Sequence, residues 1–174
     1  GASGLGKVLP ACNLISLGGI LRVCELDLVL LDGSAPRALV HSRVHEGALL
    51  CTFETDSRFR GRFVLPADWC ALGFMHRANE NGNWCHGGAL LAGMAMAALP
   101  DGAAEFMVDA GTRLTLVLLP VQRLHNVYSA LSLTSPFAQS AGLRPFMLSE
   151  DSWSRRLQAV YEEVRSRLMR DEAA

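Results

Sequence analysis

Lysine is nearly missing from this chain: Lys7 is the only one in 174 residues, and every other basic residue is arginine. Charge of either sign is scarce, at 19% of residues, and the formal net charge is −1 with a pI near 6.6. A broad nucleic-acid-binding or anionic-membrane surface needs clustered Lys and Arg, so this balance argues against both. No apolar run reaches the roughly 18 residues of a membrane span, so none is expected. No C-x-x-C pair occurs among Cys12, Cys24, Cys51, Cys70 and Cys85. That excludes a zinc ribbon or a dithiol redox motif. Neither an internal repeat nor a low-complexity linker divides the chain, and its length fits one domain on the scale of roughly 100–200 residues. Residues Gly1 to Gly6 read as a vector-derived remnant or a loop rather than a signal peptide.

What is present is apolar. Half the residues are hydrophobic, ample for a core and too many for a disordered chain. The abundance of Ala, Leu, Arg and Gly is compatible with a GC-rich genome. Arginine in place of lysine also suits bidentate and partly buried contacts. The cysteines are odd in number and most sit in apolar runs. That is the pattern of buried, reduced thiols in an intracellular protein, cytoplasmic or nuclear.

Short strands dominate the reading. Residues 26–31 are apolar apart from Asp27, and Asp32-Gly33 marks a turn. Residues 37–46 alternate, with Leu39, His41, Arg43 and His45 on one face and Val40, Ser42 and Val44 on the other. Glu46-Gly47 is the next turn, and residues 48–54 another strand. Over residues 57–65, Arg58, Arg60 and Arg62 alternate with Phe59, Gly61 and Phe63, giving a half-buried strand with a basic outer face. Pro66 and Asp68 break the pattern before the apolar Trp69–Phe74. Residues 77–88 are Asn- and Gly-rich and read as a loop. Residues 89–99 favour helix by Ala, Leu and Met content, yet their length and the Pro100-Asp101-Gly102 stop suit a buried strand equally. Residues 112–119 and 124–133 read as strands around Pro120. At the C-terminus, Trp153, Leu157, Val160, Tyr161, Val164 and Leu168 recur at helical spacing, with Ser149 or Ser152 as cap. Arg155, Arg156, Glu162, Glu163, Arg165 and Arg167 take the other face. The expected organisation is a flexible segment over 1–13, a β-rich core over 14–148 and a helix over 149–174. That helix either docks on its own domain or presents Trp153, Leu157 and Tyr161 to a partner.

Two local patterns suggest chemistry. Cys85 precedes the ambiguous 89–99 segment, and a cysteine at a helix N-terminus can act as a nucleophile. His125 or His86 would be its base, with Asn126 or Asp109 to orient it, giving a cysteine hydrolase or deamidase. His41, His45 and Glu46 suggest a metal, but His41 and His45 lie roughly 13 Å apart along a strand, too far to share one ion. No metal and no cofactor is expected.

Two family resemblances bear on function. His86-Gly87-Gly88-Ala89-Leu90-Leu91 resembles the Asn-x-x-Gly-x-x-His-Gly-Gly entry to the central helix of small hot-dog thioesterases. Here Gly82 stands one residue too far from His86, the family's helical carboxylate falls near Ala95, and few strands follow. The broader resemblance is to dUTPases. Residues 63–73, Phe-Val-Leu-Pro-Ala-Asp-Trp-Cys-Ala-Leu-Gly, look like the segment where a strand ends in a Leu/Ile-Pro turn and the next begins. Residues 110–121, Ala-Gly-Thr-Arg-Leu-Thr-Leu-Val-Leu-Leu-Pro-Val, resemble the Gly-Asp-Arg-x-x-Gln-Leu-x-x-x-Pro segment. Between them His86-Gly87-Gly88 stands where that family has Tyr-Arg-Gly. The resemblance spans residues 26–121, about half the chain, and implies that 89–99 is strand.

The dUTPase catalytic parts do not carry over. The Arg-Ser-Ser motif falls at Arg77-Ala78-Asn79, without either hydroxyl. The water-activating aspartate has no counterpart in Asn81-Gly82-Asn83-Trp84-Cys85, where the nearest carboxylate is Glu80. The glycine-rich lid is replaced by a charged helix. Such a chain lacks the base and the phosphate cradle the reaction needs. The resemblance therefore implies a mainly β, dUTPase-like barrel or jelly roll with a C-terminal amphipathic helix (an α+β fold being the alternative). It further implies a non-catalytic module like the dUTPase-related proteins of herpesviruses and adenoviruses, acting on a protein partner. Arg58, Arg60, Arg62 and the C-terminal helix are then the expected contact surfaces, and a homo-oligomer is compatible with them.

Overall fold

The computed structural model describes residues 24–32, 38–79, 81–98, 100, 102–131, 143–147 and 152–170, without the side chains of 41, 43, 143–147, 152–154, 168 and 169. The 1–13 segment, Gly33, the Ser149 cap and the side chains of His41 and Trp153 lie outside that description. Period-two alternation produces strands β1 (Glu25–Leu30), β2 (Ala38–His45), β3 (Ala48–Thr55), β4 (Phe59–Val64) and β5 (Trp69–Arg77). They are followed by the two-residue β6 (Trp84–Cys85) and β7 (Gly88–Ala89), then β8 (Met94–Ala98), β9 (Ala103–Val108) and β10 (Thr112–Pro120). Helix α1 (Val121–Ala130), strand β11 (Leu143–Met147) and helix α2 (Ser152–Arg170) complete the order.

The described strands form two antiparallel sheets, β1-β4-β9-β6-β7 and β11-β8-β5-β10-β3-β2. The class is mainly β. Glu46 and Gly47, both at positive φ (48° and 81°), close the two-residue hairpin between β2 and β3, whose His45 and Ala48 pair. This is the backbone twist that two-residue hairpins favour. His86 and Gly87 (49° and 76°) do the same between β6 and β7.

The inner faces of the sheets pack on each other. Leu49, Cys51, Ala71 and Leu118 of one sheet meet Leu26 and Phe63 of the other. Farther along, Met75 and Met96 meet Cys85, Ala104 and Phe106. Gly61 faces this interior. A Cβ there would lie 2.4 Å from Phe106 Cζ and 2.7 Å from Leu28 Cδ2, so only glycine lets those side chains close over β4. The larger sheet is covered on its outer side too, by α2: Phe74 and Ala95 pack against Tyr161, with Leu72, Val117 and Leu157 around them.

Three sequence expectations change. Residues 88–98 hold β7 and β8, so no central helix follows His86 and the hot-dog reading loses its core element. Helix propensity is overridden because β8 is flanked by β5 and β11, and ladder hydrogen bonds on both sides outweigh a few tenths of a kcal/mol per residue. Residues 124–131 are helix and turn rather than strand. Pro120 ends β10 with φ −59° and ψ 135°, and the chain turns into α1, whose Gln122 donates to Asn126 at 3.0 Å one turn on. Strand β11 was not anticipated; it forms on the free edge of β8. Among the described residues no helix is long and apolar enough to cross a membrane.

Candidate functional site

Between the sheets lies a cavity of about 150 Å³. Its walls come from inward residues of β1 to β6 and β8 to β10, with Cys24, Leu65 and Leu90 from the connecting segments. Among the described residues no acid, amide, hydroxyl, histidine or arginine lines it. Three cysteines, Cys24, Cys51 and Cys85, face it.

This placement bears directly on the nucleophile expectation. Cys85 is 2% exposed, and burial pushes its thiol up to about 12, against a small opposing pull from the His86 backbone. Cys51 is likewise raised to about 12 by burial and by Cys24, and Cys24 to about 11 by burial. These are protonated thiols in an apolar interior, unlike the electropositive, exposed setting of a reactive cysteine. His86 points away from Cys85: it is exposed in the hairpin turn and its Nε2 lies 2.8 Å from the Ala103 carbonyl. His125 is on α1, which contributes no buried residue. Asn126 is exposed on the same helix, bonded to Gln122. Asp109 belongs to a different cluster, accepting from Asn79 Nδ2 at 2.9 Å beside the buried Asn83, whose Oδ1 takes the Asp109 N–H at 2.9 Å and the Thr112 hydroxyl at 2.8 Å. Among the described residues no group of three or more His, Cys, Asp or Glu side chains could hold a metal.

Two of the three arginines in the row lie within ion-pair distance of acids. Arg58 Nε lies 3.8 Å from Asp109 Oδ1, and its backbone N–H donates to Asp32 Oδ2 at 2.6 Å. Arg60 bonds Glu105 Oε2 at 2.7 Å and holds that carboxyl below its usual range. Arg62 sits in register between Asp27 and Glu105, and with Trp84 and His86 borders a shallow surface groove. Of the helical candidates, Tyr161 is 4% exposed and stacks on Phe74 with ring centroids 5.4 Å apart. Leu157 packs beside it. Both are directed at the domain's own sheet. Val160, assigned to the same stripe, is instead 58% exposed.

A polar constellation absent from the sequence reading lies under α2. The His76 side chain, on β5, is 4% exposed. Its Nδ1 is 2.9 Å from Glu162 Oε1 and its Nε2 is 2.7 Å from Thr115 Oγ1 on β10. A carboxylate only accepts, so Nδ1–H donates to Glu162 and neutral Nε2 accepts from the Thr115 hydroxyl. Burial lowers the His76 pKa, against the opposing pull of Glu162. Arg165 secures the carboxylate from the next turn at 3.3 Å. The order hydroxyl, imidazole, carboxylate matches a nucleophilic triad, but Thr115 is wholly buried and no substrate carbonyl can reach it. Its evident work is to fasten α2 to the sheet. Glu162 had been assigned to the outer face because charge suggests solvent; the signal that could have found it is one acid adjacent to Tyr161 on the docking stripe.

No family model matches the sequence, and no curated protein matches it. The fold is similar to the crystal structure of the AraC-like transcriptional activator CuxR, with a TM-score of 0.56 and 15% identity, over 87% of this chain and 54% of that one. At that identity the likeness establishes shared architecture alone, and this chain spans about half the length of that protein.

Proposed function

We propose that this chain is a non-catalytic regulatory module that takes a small molecule between its two sheets and acts on a protein partner. The apolar cavity between the sheets carries the reading. A well-packed interior has few voids larger than a water molecule, and small-molecule sites are concave and lined mainly by hydrophobic and aromatic side chains. The architectural likeness to a transcriptional activator, over about half its length, supports a regulatory role. A net charge of −1 argues against a broad nucleic-acid-binding surface on this chain. An intracellular setting accords with unpaired Cys24, Cys51, Cys70 and Cys85. A thermal-shift screen of small molecules tests the site: hits should raise Tm in proportion to ln[ligand], and a screen without hits from any chemical class removes the reading.

A second reading, a dUTPase-related viral pseudoenzyme, draws support from the Leu65-Pro66 connection between β4 and β5 and from strand at Met94–Ala98. Hydrolysis of dUTP by the purified chain would exclude its non-catalytic half.

A further inference from the structure

The walls of the cavity specify more than size. Four phenylalanines face it in two pairs. Phe53 and Phe59 meet edge to face, 5.4 Å apart at 86°, and Phe63 and Phe106 are tilted at 6.3 Å. The rest of the wall is aliphatic or sulfur-bearing, the latter being Cys24, Cys51, Cys85, Met75 and Met96. Sulfur makes favourable contacts with the edges of aromatic rings, and each phenyl pair leaves ring edges and faces turned to the cavity for a further ring to pack against. Among the described residues no side chain in the wall presents a strong hydrogen-bond donor or acceptor, since a thiol is weak in both roles. A sugar, nucleotide, amino acid or carboxylate entering this space would leave its hydration behind and find nothing to replace it. Apolar cavities of roughly 150 Å³ stay dry and take up single-ring hydrocarbons, and this one has the same volume, about 150 Å³.

We propose that the cavity selects a small, uncharged aromatic hydrocarbon of one or two rings, without hydrogen-bonding groups, held by the phenylalanine pairs and the surrounding sulfurs. This rests on the reading of the interior as a ligand site. Selection works by exclusion: each added hydroxyl or carboxylate on the same ring weakens binding, because the wall cannot answer it. The thiols act as polarizable contacts; their raised pKa values keep them protonated and unreactive toward the guest.

The test is calorimetric titration of the full chain with toluene, indane and naphthalene, against phenol, benzoate and glucose. The expected result is saturable binding of the hydrocarbons, at least about tenfold weaker binding of phenol, and none of benzoate or glucose. Ala71→Leu and Ala98→Leu, which project new bulk into the cavity from β5 and β8, should each weaken toluene binding by about tenfold or more. Should those variants fail to fold, NMR contacts from toluene protons to the Met75 and Met96 methyls in the unaltered chain locate the guest instead. Hydrocarbon binding insensitive to the variants, or without those methyl contacts, would overturn the proposal. Binding of polar molecules in preference to hydrocarbons, lost in the same variants, would overturn the ligand class while leaving the interior as a site. Absence of binding by either class would overturn both.

Discussion

Cys85 illustrates how burial decides chemistry at the scale of one residue. Its place just before a segment that could be helix, with His125 or His86 as base, suggests an activated nucleophile, yet strand follows and the side chain turns into an apolar interior where the thiolate is disfavoured. Iodoacetamide at neutral pH should therefore leave Cys51 and Cys85 unmodified in the folded chain and label both after denaturation. Rapid native labelling of Cys85, read by mass spectrometry, would contradict its placement. His76 gives the opposite lesson, a titratable group that folding uses. Its pKa is lowered in the folded state, chiefly by burial, so the folded chain binds fewer protons here than the unfolded one. The contribution is then fully present above the ordinary value of 6.5 and is lost as pH falls below it. Urea midpoints measured from pH 8 to pH 5 should fall on the acid side, and His76→Gln should flatten that slope. His76→Ala should cost about 2–3 kcal/mol, because it leaves the buried Thr115 hydroxyl without its partner. A pH-independent midpoint in the unaltered chain would contradict this.

At the scale of elements, α2 was legible as a helix but not in its orientation. The stripe of Leu157, Tyr161 and Val164 reads directly from 3.6-residue spacing. Which edge of that stripe turns inward depends on the sheet beneath, and there Glu162 rather than Val160 finds a partner, because β5 offers a buried imidazole. Tyr161→Ala should cost about 3–4 kcal/mol by opening the stack on Phe74, whereas Val160→Ala should stay within about 0.5 kcal/mol. Comparable losses at the two positions in urea unfolding would mean that the helix docks by a different face. Local sequence leaves residues 94–98 open between helix and strand and suggests strand over 124–130, where the chain is helical. The first is a short apolar run and the second a mixed one, and neither has a decisive local period, so pairing with β5 and β11 makes one a strand, and the corner at Pro120 makes the other a helix.

At the scale of the whole molecule, the sheets join residues distant along the chain. β1 pairs with β4, β4 with β9, and β10 lies between β3 and β5. Loop closure must precede the contacts that reward it, so refolding should take milliseconds to seconds rather than microseconds. Stopped-flow fluorescence of Trp69 and Trp84, both half-buried, would follow it, and complete recovery within microseconds would contradict this topology. The sequence by itself determined that the chain is mainly β, that Phe59, Gly61 and Phe63 face inward from β4, that Glu46-Gly47 turns the chain and that a helix stands near the C-terminus. Each of these depends on residues within one turn or one strand of each other, where period and turn chemistry act directly. Only the tertiary structure decided that Cys24, Cys51 and Cys85 share one apolar cavity, and that His76, Thr115 and Glu162 meet under α2. Those groups come from strands and a helix far apart in the chain, and their proximity is set by which sheets pack together, a choice that no local period records.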